Sequence, residues 1–103
     1  MDLNDIRQEI NQVDAKLVEL FVKRMELAAQ VADYKKEKGL PIYVPARERE
    51  VLESVAKLSG PEMEAYTREL YSTLFALSRS YQNKRNSDTH PIHLQNPTNQ
   101  AHC

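Results

Sequence analysis

The most constraining feature of this chain is an unbroken helical periodicity between Leu3 and Tyr34, a stretch without proline or glycine. Positions spaced alternately by three and four residues form what we call the seam, which consists of Leu3, Ile6, Ile10, Val13, Leu17, Leu20, Arg24, Leu27, Val31 and Tyr34. Nine of these ten positions are apolar or aromatic, as in a helix that packs along one face. The sequence therefore predicts one long amphipathic helix whose seam is broken only at Arg24.

The length of this first helix, from about Asp2 to Lys38, predicts an oligomer. Asp2 or Asn4 can cap its start. Gly39 stops it, with Pro41 just beyond. At ~1.5 Å per residue the helix is about 54 Å long, whereas a compact domain of this size has a radius of gyration near ~13 Å. A helix that is longer than the domain containing it needs a partner of similar length, so we expect an intertwined homodimer.

Arg24 is the one charged residue in the seam, and its chemistry limits the explanations. A guanidinium does not lose its proton in a protein and is costly to bury without an anionic partner. Either water solvates the seam at this position, as in a plain coiled coil, or an anion binds there. The second alternative makes the chain a ligand-binding helical protein.

Two shorter helices are predicted after the first. Residues 39–45 form a loop with two prolines, and a second helix follows over residues 46–58. Pro61 is placed near the first position of a third helix, which is expected over residues 62–84. The predicted fold class is therefore all-α, with a three-helix protomer.

Composition and charge exclude several classes of function. The 103 residues fit one domain, assigned to residues 1–85, with a polar tail or linker over residues 86–103. A net charge of −1 gives no electrostatic case for nucleic acid, and no apolar run approaches the ~20 residues of a membrane span. The acidic residues 1–5 lack a signal-peptide core, so we expect a cytoplasmic protein. Cys103 is the only cysteine, which excludes an intrachain disulfide.

Three cations of the first helix are candidates for binding an anion. Arg24 and Lys35 are eleven residues apart, about three turns, so they lie on nearly the same face, ~16 Å apart. Arg7 precedes Arg24 by seventeen residues, ~25 Å along the axis, and is rotated from it by roughly 100°. Arg7 cannot reach the same small ligand from the same helix, but in an antiparallel dimer it can approach Arg24 of the other chain. The alternative is that all three are solvated surface charges.

The later helices carry more polar residues beside their apolar stripes. Arg47 and Glu48 each stand four residues before an apolar position of the second helix. Ser78 and Gln82 share one face of the third helix at i and i+4. Taken alone, these pairs are ordinarily a salt-bridged helix start and a hydrogen-bonded packing detail.

No histidine lies in the predicted helical body. All three lie in the tail, at His90, His93 and His102, and with Cys103 they show no metal-ligand spacing, so we expect no metal site. The body also lacks a Ser-His-Asp arrangement, a Cys-His pair and a glycine-rich phosphate loop. Cations, neutral donors and one carboxylate instead suit a small dianion whose reaction needs only positioning and charge stabilisation, such as a pericyclic rearrangement.

Several short pieces of the chain are specific in their combined order and spacing, although none is specific alone. They are Ile6-Arg7-Gln8-Glu9-Ile10 with Val13-Asp14, Lys23-Arg24 with Leu27-Ala28, Tyr34-Lys35, Pro41-Ile42-Tyr43 with Arg47-Glu48-Arg49-Glu50, and Leu77-Ser78 with Gln82. Over Leu3–Lys84 the chain thereby resembles the all-helical, AroQ-type chorismate mutases.

The resemblance implies an isomerase that converts chorismate to prephenate by a Claisen rearrangement, in the biosynthesis of Phe and Tyr, without cofactor or metal. It implies an intertwined homodimer in which Arg24 and the partner's Arg7 hold the two substrate carboxylates. Lys35 and Gln82 would donate to the ether oxygen, where negative charge grows as the C–O bond breaks.

The resemblance also assigns roles to the second and third helices. Glu48 would bind the ring hydroxyl, helped by a backbone N–H near Val44. Arg47 and Ser78 would complete the pocket wall and its carboxylate contacts. Val44 departs from the family, which often has aspartate there, so hydroxyl binding would be weaker if that carboxylate contributes.

Two alternatives remain open from the sequence. A non-catalytic helical dimerisation module would explain the seam, but not why Arg24 breaks it. A related mutase or lyase acting on isochorismate would use the same kind of pocket, because both substrates are cyclic dicarboxylates. The loop over residues 39–45 would discriminate between the two substrates.

Overall fold

The computed structural model describes residues 2–87, which form three helices: α1 (Leu3–Lys38), α2 (Pro45–Ser59) and α3 (Glu64–Ser87). Within residues 2–87 there is no strand. The predicted all-α class and the order of its three helices are confirmed. Across the same residues, no helix combines the length and apolar character that crossing a bilayer requires.

Both ends of α1 lie where the sequence predicts them, because local capping sets them. The Asp5 backbone N–H donates to the Asp2 side chain at 3.0 Å, and the Asp2 N–H donates to the Asp5 side chain at 3.3 Å. This reciprocal pair is a capping box with Asp2 as the N-cap. At the other end Gly39 adopts a left-handed conformation, with φ of 69°, and its N–H donates to the Lys36 carbonyl.

The junction between α2 and α3 differs from the prediction. The helix α2 begins at Pro45, because proline fits the first turn of a helix, and ends at Ser59. The predicted start of α3 at residue 62 is two residues early. The Met63 N–H donates to the Gly60 carbonyl at 3.2 Å and closes a turn that contains Pro61, so α3 begins only at Glu64.

The end of α3 also lies beyond its predicted limit of Lys84. The helix continues to Ser87, whose hydroxyl donates back to the Asn83 carbonyl at 2.8 Å. The Lys36 ammonium donates to the Asn86 carbonyl at 3.0 Å and ties this last turn to α1. The remainder of the predicted tail, with His90, His93, His102 and Cys103, lies outside the described residues.

The helix α3 packs against both other helices and forms the centre of the fold. The buried apolar residues of the other two helices are small: Ala28, Ala29 and Ala32 of α1 and Ala56 of α2. Alanine lets helix backbones approach closely, and Phe75 of α3 is the one large apolar side chain buried among the described residues. The buried residues of α1 all lie in its C-terminal half.

Ion pairs on the surface join the same helices. Arg85 of α3 donates to Asp33 of α1 at 2.9 and 3.0 Å, and this hydrogen bonding lowers the pKa of Asp33 below its ordinary 3.8. Arg68 of α3 likewise donates to Glu53 of α2 at 2.7 and 3.1 Å and lowers the pKa of that carboxyl. Both pairs are exposed, so they align the helices more than they stabilise them.

The N-terminal half of α1 extends away from the rest of the chain. Its seam residues are largely exposed, for example Leu17 at 56% and Leu20 at 61%. The described residues measure 54 × 32 × 20 Å with a radius of gyration of 17.0 Å, well above the ~13 Å of a compact domain of this length. An apolar helix face of this length is an unusual surface for a monomer.

Candidate active site

A cleft of about 390 Å³ opens between the C-terminal half of α1, the loop before α2, and the facing sides of α2 and α3. This volume suits a small-molecule ligand. Seven of the eight residues predicted from the sequence line it: Arg24, Lys35, Val44, Arg47, Glu48, Ser78 and Gln82. The fold therefore brings into one cleft side chains that are up to 58 positions apart in the chain.

Arg7 is the predicted site residue that the fold does not bring to the cleft. It lies on the exposed N-terminal half of α1, seventeen residues before Arg24, which corresponds to ~25 Å of helix. Because α1 is continuous from Leu3 to Lys38, no bend brings Arg7 back towards the cleft of its own chain.

The lining of the cleft combines an apolar surface with excess positive charge. Its apolar side chains are Leu27, Ala28, Val31, Ile42, Val44, Val51 and Phe75. Among residues 2–87, the charged side chains that line it are four cations (Arg24, Lys35, Arg47 and Arg79) and a single carboxylate, Glu48. Such a surface favours a ligand with an apolar ring and more than one negative charge.

Arg24 is half-buried at the end of the cleft where α1 meets α3. Its guanidinium lies over the rings of Tyr71 and Phe75, with 5.6 and 5.8 Å to the centroids. Cation–π contacts of this kind hold a guanidinium in place without using its N–H groups in hydrogen bonds. Within residues 2–87 no carboxylate pairs with Arg24, so its guanidinium is available to an anion in the cleft.

Lys35 links α1 to the loop that closes one side of the cleft. Its ammonium donates to the Ile42 carbonyl at 2.9 Å, across a sequence separation of seven residues. An ammonium carries three donors, so two remain for a ligand. The single bond to the loop fixes the position of the charge without using all its donors.

Gln82 is the most deeply buried polar residue of the cleft, at 6% exposure, and Ser78 is buried one turn before it. The Gln82 amide nitrogen donates to the Ala28 carbonyl at 3.0 Å. This bond orients the amide, whose second N–H remains as a donor. A neutral amide donates in this way at any pH compatible with folding.

The start of α2 presents its backbone and two charged side chains to the cleft. Val44 is the N-cap, and its carbonyl accepts from the N–H groups of Arg47 and Glu48 at 3.1 and 3.2 Å. Valine provides no side-chain cap there. Arg47 forms an exposed ion pair with Glu50, the salt-bridged helix start that the sequence pattern alone suggests, while it also reaches the cleft rim.

Arg79 lines the cleft but is absent from the sequence prediction. It donates to both carboxylate oxygens of Glu48, and its guanidinium lies 4.8 Å from the centroid of the Tyr43 ring. One signal could have revealed it. With Phe75, Ser78 and Gln82, Arg79 completes an i, i+3, i+4, i+7 face of α3, and all four residues line the cleft.

The described residues show no arrangement for a metal ion. Within residues 2–87 no cluster of His, Cys, Asp and Glu side chains is close enough to hold one. The chemistry that these side chains offer consists of anchoring anions, donating hydrogen bonds and accepting one through Glu48.

The chain matches the family model for chorismate mutase type II over residues 6–83. It is 37% identical over 97 residues to the T-protein of Haemophilus influenzae, covering 87% of this chain and 26% of that protein. It is 38% identical over 56 residues to the chorismate mutase of Methanocaldococcus jannaschii, covering 54% of this chain and 57% of that protein.

A third relative is the bifunctional chorismate mutase/prephenate dehydratase of Aquifex aeolicus, with 36% identity over 58 residues, 56% of this chain and 16% of that protein. The chain thus spans about a quarter of the Haemophilus relative and just over half of the Methanocaldococcus relative. No solved structure matches the chain at a significant level.

Proposed function

The chain belongs to the chorismate mutase type II family, and on that premise we propose that it catalyses the rearrangement of chorismate to prephenate, in the biosynthesis of Phe and Tyr. The reaction is intramolecular: one C–O bond of the enol ether breaks as one C–C bond forms, with no change in overall oxidation state. It needs no cofactor. The proposal rests on one observation: Arg24, Lys35, Glu48 and Gln82, which come from three helices, line the same cleft.

Substrate anchoring is assigned to arginines. Arg24 would bind one carboxylate of chorismate, because its guanidinium is held over two aromatic rings and is not paired with a carboxylate among residues 2–87. The partner's Arg7 would bind the other carboxylate. Arg47, at the rim, and Ser78, on the buried wall, would complete the carboxylate contacts.

Charge stabilisation is assigned to Lys35 and Gln82. As the ether bond breaks, negative charge grows on its oxygen, and donors already oriented towards that atom stabilise the transition state more than the ground state. Lys35 has two donors beyond its bond to Ile42, and Gln82 has one beyond its bond to Ala28. Both side chains are therefore fixed before substrate binds.

Recognition of the ring hydroxyl is assigned to Glu48 and the backbone N–H near Val44. Glu48 is the only carboxylate among the described residues that line the cleft, so it is the natural acceptor for a hydroxyl proton. Holding the hydroxyl, both carboxylates and the ether oxygen at once would force the flexible substrate into a compact, chair-like conformer. This orientational gain accounts for much of the expected rate enhancement.

The proposed assembly is a homodimer in the cytoplasm. Its support is the exposed seam of α1, which a second copy of the same helix would cover, and the position of Arg7, which is too far from its own cleft. Antiparallel pairing of two α1 helices would bring each Arg7 near the other chain's Arg24. Each active site would then combine the cleft of one chain with one arginine of the other.

The experiment that tests the function uses purified protein and chorismate, with the loss of chorismate absorbance followed and prephenate identified as the product. Catalysed formation of prephenate supports the proposal. If the folded protein leaves chorismate unchanged but acts on isochorismate, the related mutase or lyase assignment replaces it. A folded dimer that acts on neither substrate is the result expected of a dimerisation module.

A further inference from the structure

We propose that Arg79 is a positioning residue, which tethers the Glu48 carboxylate at the wall of the cleft and thereby prevents it from occupying the sites of the substrate carboxylates. The inference rests on the proposed function, since it concerns the same cleft. It assigns a role to a residue that makes no substrate contact in the arrangement described above.

The tether itself is geometrically well defined. One terminal nitrogen of Arg79 donates to both oxygens of Glu48, and the two side chains are 31% and 24% exposed, respectively. Partial burial makes this pair less screened by solvent than the exposed pair of Arg47 with Glu50, whose side chains are 68% and 72% exposed. On its other side the Arg79 guanidinium rests against Tyr43, 4.8 Å from the ring centroid. Arg79 is thus held between a carboxylate and an aromatic ring.

The pair also forms the wall between two cavities. A recess of about 260 Å³ lies beside the cleft, and Glu48, Phe75 and Arg79 line both. The Glu48 side chain consequently has open space on either side of it. Without a tether, its carboxylate could take up several positions, with Arg24, Lys35 and Arg47 on the side of the cleft and only Arg49 on the side of the recess.

The charges of the cleft explain why a free carboxylate there would be harmful. Arg24, Lys35 and Arg47 line the cleft together with Glu48, and Val44 contributes no competing charge. A mobile Glu48 would be drawn to these cations and would act as an internal competitor of a dianionic substrate. Paired with Arg79, Glu48 has its charge balanced, while lone pairs of its oxygens remain for a ring hydroxyl.

The test combines Arg79→Met with Glu48→Gln, singly and together, and measures kcat and KM for chorismate. Arg68→Met is the matched control, because Arg68 also bridges α3 to a glutamate of α2, outside the cleft. We expect Arg79→Met to raise KM by about tenfold with a smaller change in kcat, since the competition opposes substrate binding. Arg68→Met is expected to change neither constant by more than about twofold.

The double variant tests whether Arg79 acts through Glu48. Gln cannot compete for cations, so in the Glu48→Gln background Arg79→Met is expected to change KM by less than about twofold. Arg79→Lys, which keeps a cation beside Glu48, is expected to restore most of the wild-type KM. If Arg79→Met does not fold, Arg79→Gln removes the same charge and takes its place.

Two results would overturn the inference. One is a KM for Arg79→Met that matches the Arg68→Met control. The other is an equal rise in KM in the Glu48→Gln background, which would mean that Arg79 acts independently of Glu48. Failure of the proposed function is distinguishable from both, because the wild-type protein would then not convert chorismate at all.

Discussion

A chain carrying Arg7→Ala, mixed with a chain carrying Arg24→Ala, is expected to regain activity that neither variant has alone. The reason is geometric. Arg7 lies about 25 Å along α1 from Arg24, outside the cleft of its own chain, so the proposed site takes Arg7 from the partner subunit. Each variant homodimer then lacks one arginine in both of its sites.

The size of the recovery follows from the symmetry of the proposed dimer. Random pairing of equal amounts makes about half of the dimers mixed, and one of the two sites in each mixed dimer has both arginines intact. The mixture should therefore show about a quarter of the wild-type activity per chain. If each cleft instead used its own Arg7, every site in the mixture would lack one arginine and no recovery would occur.

The assay mixes the two variants in denaturant, refolds them together, and follows the loss of chorismate absorbance. Wild-type protein taken through the same cycle sets the reference. Size-exclusion chromatography with light scattering should give twice the 11.9 kDa of one chain in every sample. Dimers that form normally but show no activity above the two parents would refute the sharing of Arg7 across the interface.

Further predictions concern single groups. Arg24→Ala is expected to lower kcat/KM by about a hundredfold or more while circular dichroism shows an unchanged fold, and survival of activity would argue against the anion site. Lys35→Ala should reduce kcat more than it raises KM, because its donor serves charge that develops in the transition state; an effect on KM alone would contradict this. Activity should not collapse between mild acid and mild base, since Gln82 donates at every pH; a steep loss across that range, traced by a pH–rate profile, would count against its role. The lowered pKa of Asp33 means that its pair with Arg85 stabilises the fold above the ordinary carboxyl pKa of 3.8 and that this contribution disappears as pH falls through the lower, folded-state value. In thermal melts Asp33→Asn should therefore lose less stability on acidification than wild type, and equal losses would contradict the linkage.

Local signals in the sequence were enough to define α1. The Asp2 cap and the Gly39 stop depend only on neighbouring residues, and both are confirmed by the hydrogen bonds at the helix ends. The start of α3 is harder to predict from local sequence signals. A proline fits either the first turn of a helix or a separate turn that precedes the helix. The hydrogen bond from the Met63 N–H to the Gly60 carbonyl shows that Pro61 lies in a separate turn.

The packing of the helices was only partly encoded in the periodicity. The seam was defined by its large residues, yet the buried contact of α1 with α3 uses Ala28 and Ala32, which lie beside the seam. Leu27 and Val31, which belong to the seam, remain about half-exposed and line the cleft. Periodicity finds an apolar face, but it does not say whether a helix, a ligand or a second chain covers each part of it.

The candidate site, too, is only partly predictable from the sequence. The sequence points to Arg24 because this residue breaks the apolar seam, and to Lys35 because helical spacing places it on nearly the same face. The assignment of roles to the other residues came from the family resemblance. Arg79 was missed because its significance depends on where α2 places Glu48, and the packing of α2 against α3 is not contained in the periodicity of either helix.

The proposed active site is tested most directly by a crystal structure of the protein with a bicyclic dicarboxylate ether that mimics the chair-like transition state. We expect one ligand per cleft, with its carboxylates on Arg24 and on Arg7 of the partner subunit. Its ether oxygen should lie within hydrogen-bond distance of Lys35 and Gln82. A ligand whose ether oxygen faces away from both donors, or whose carboxylates are bound without Arg24, would refute the proposed roles of these residues.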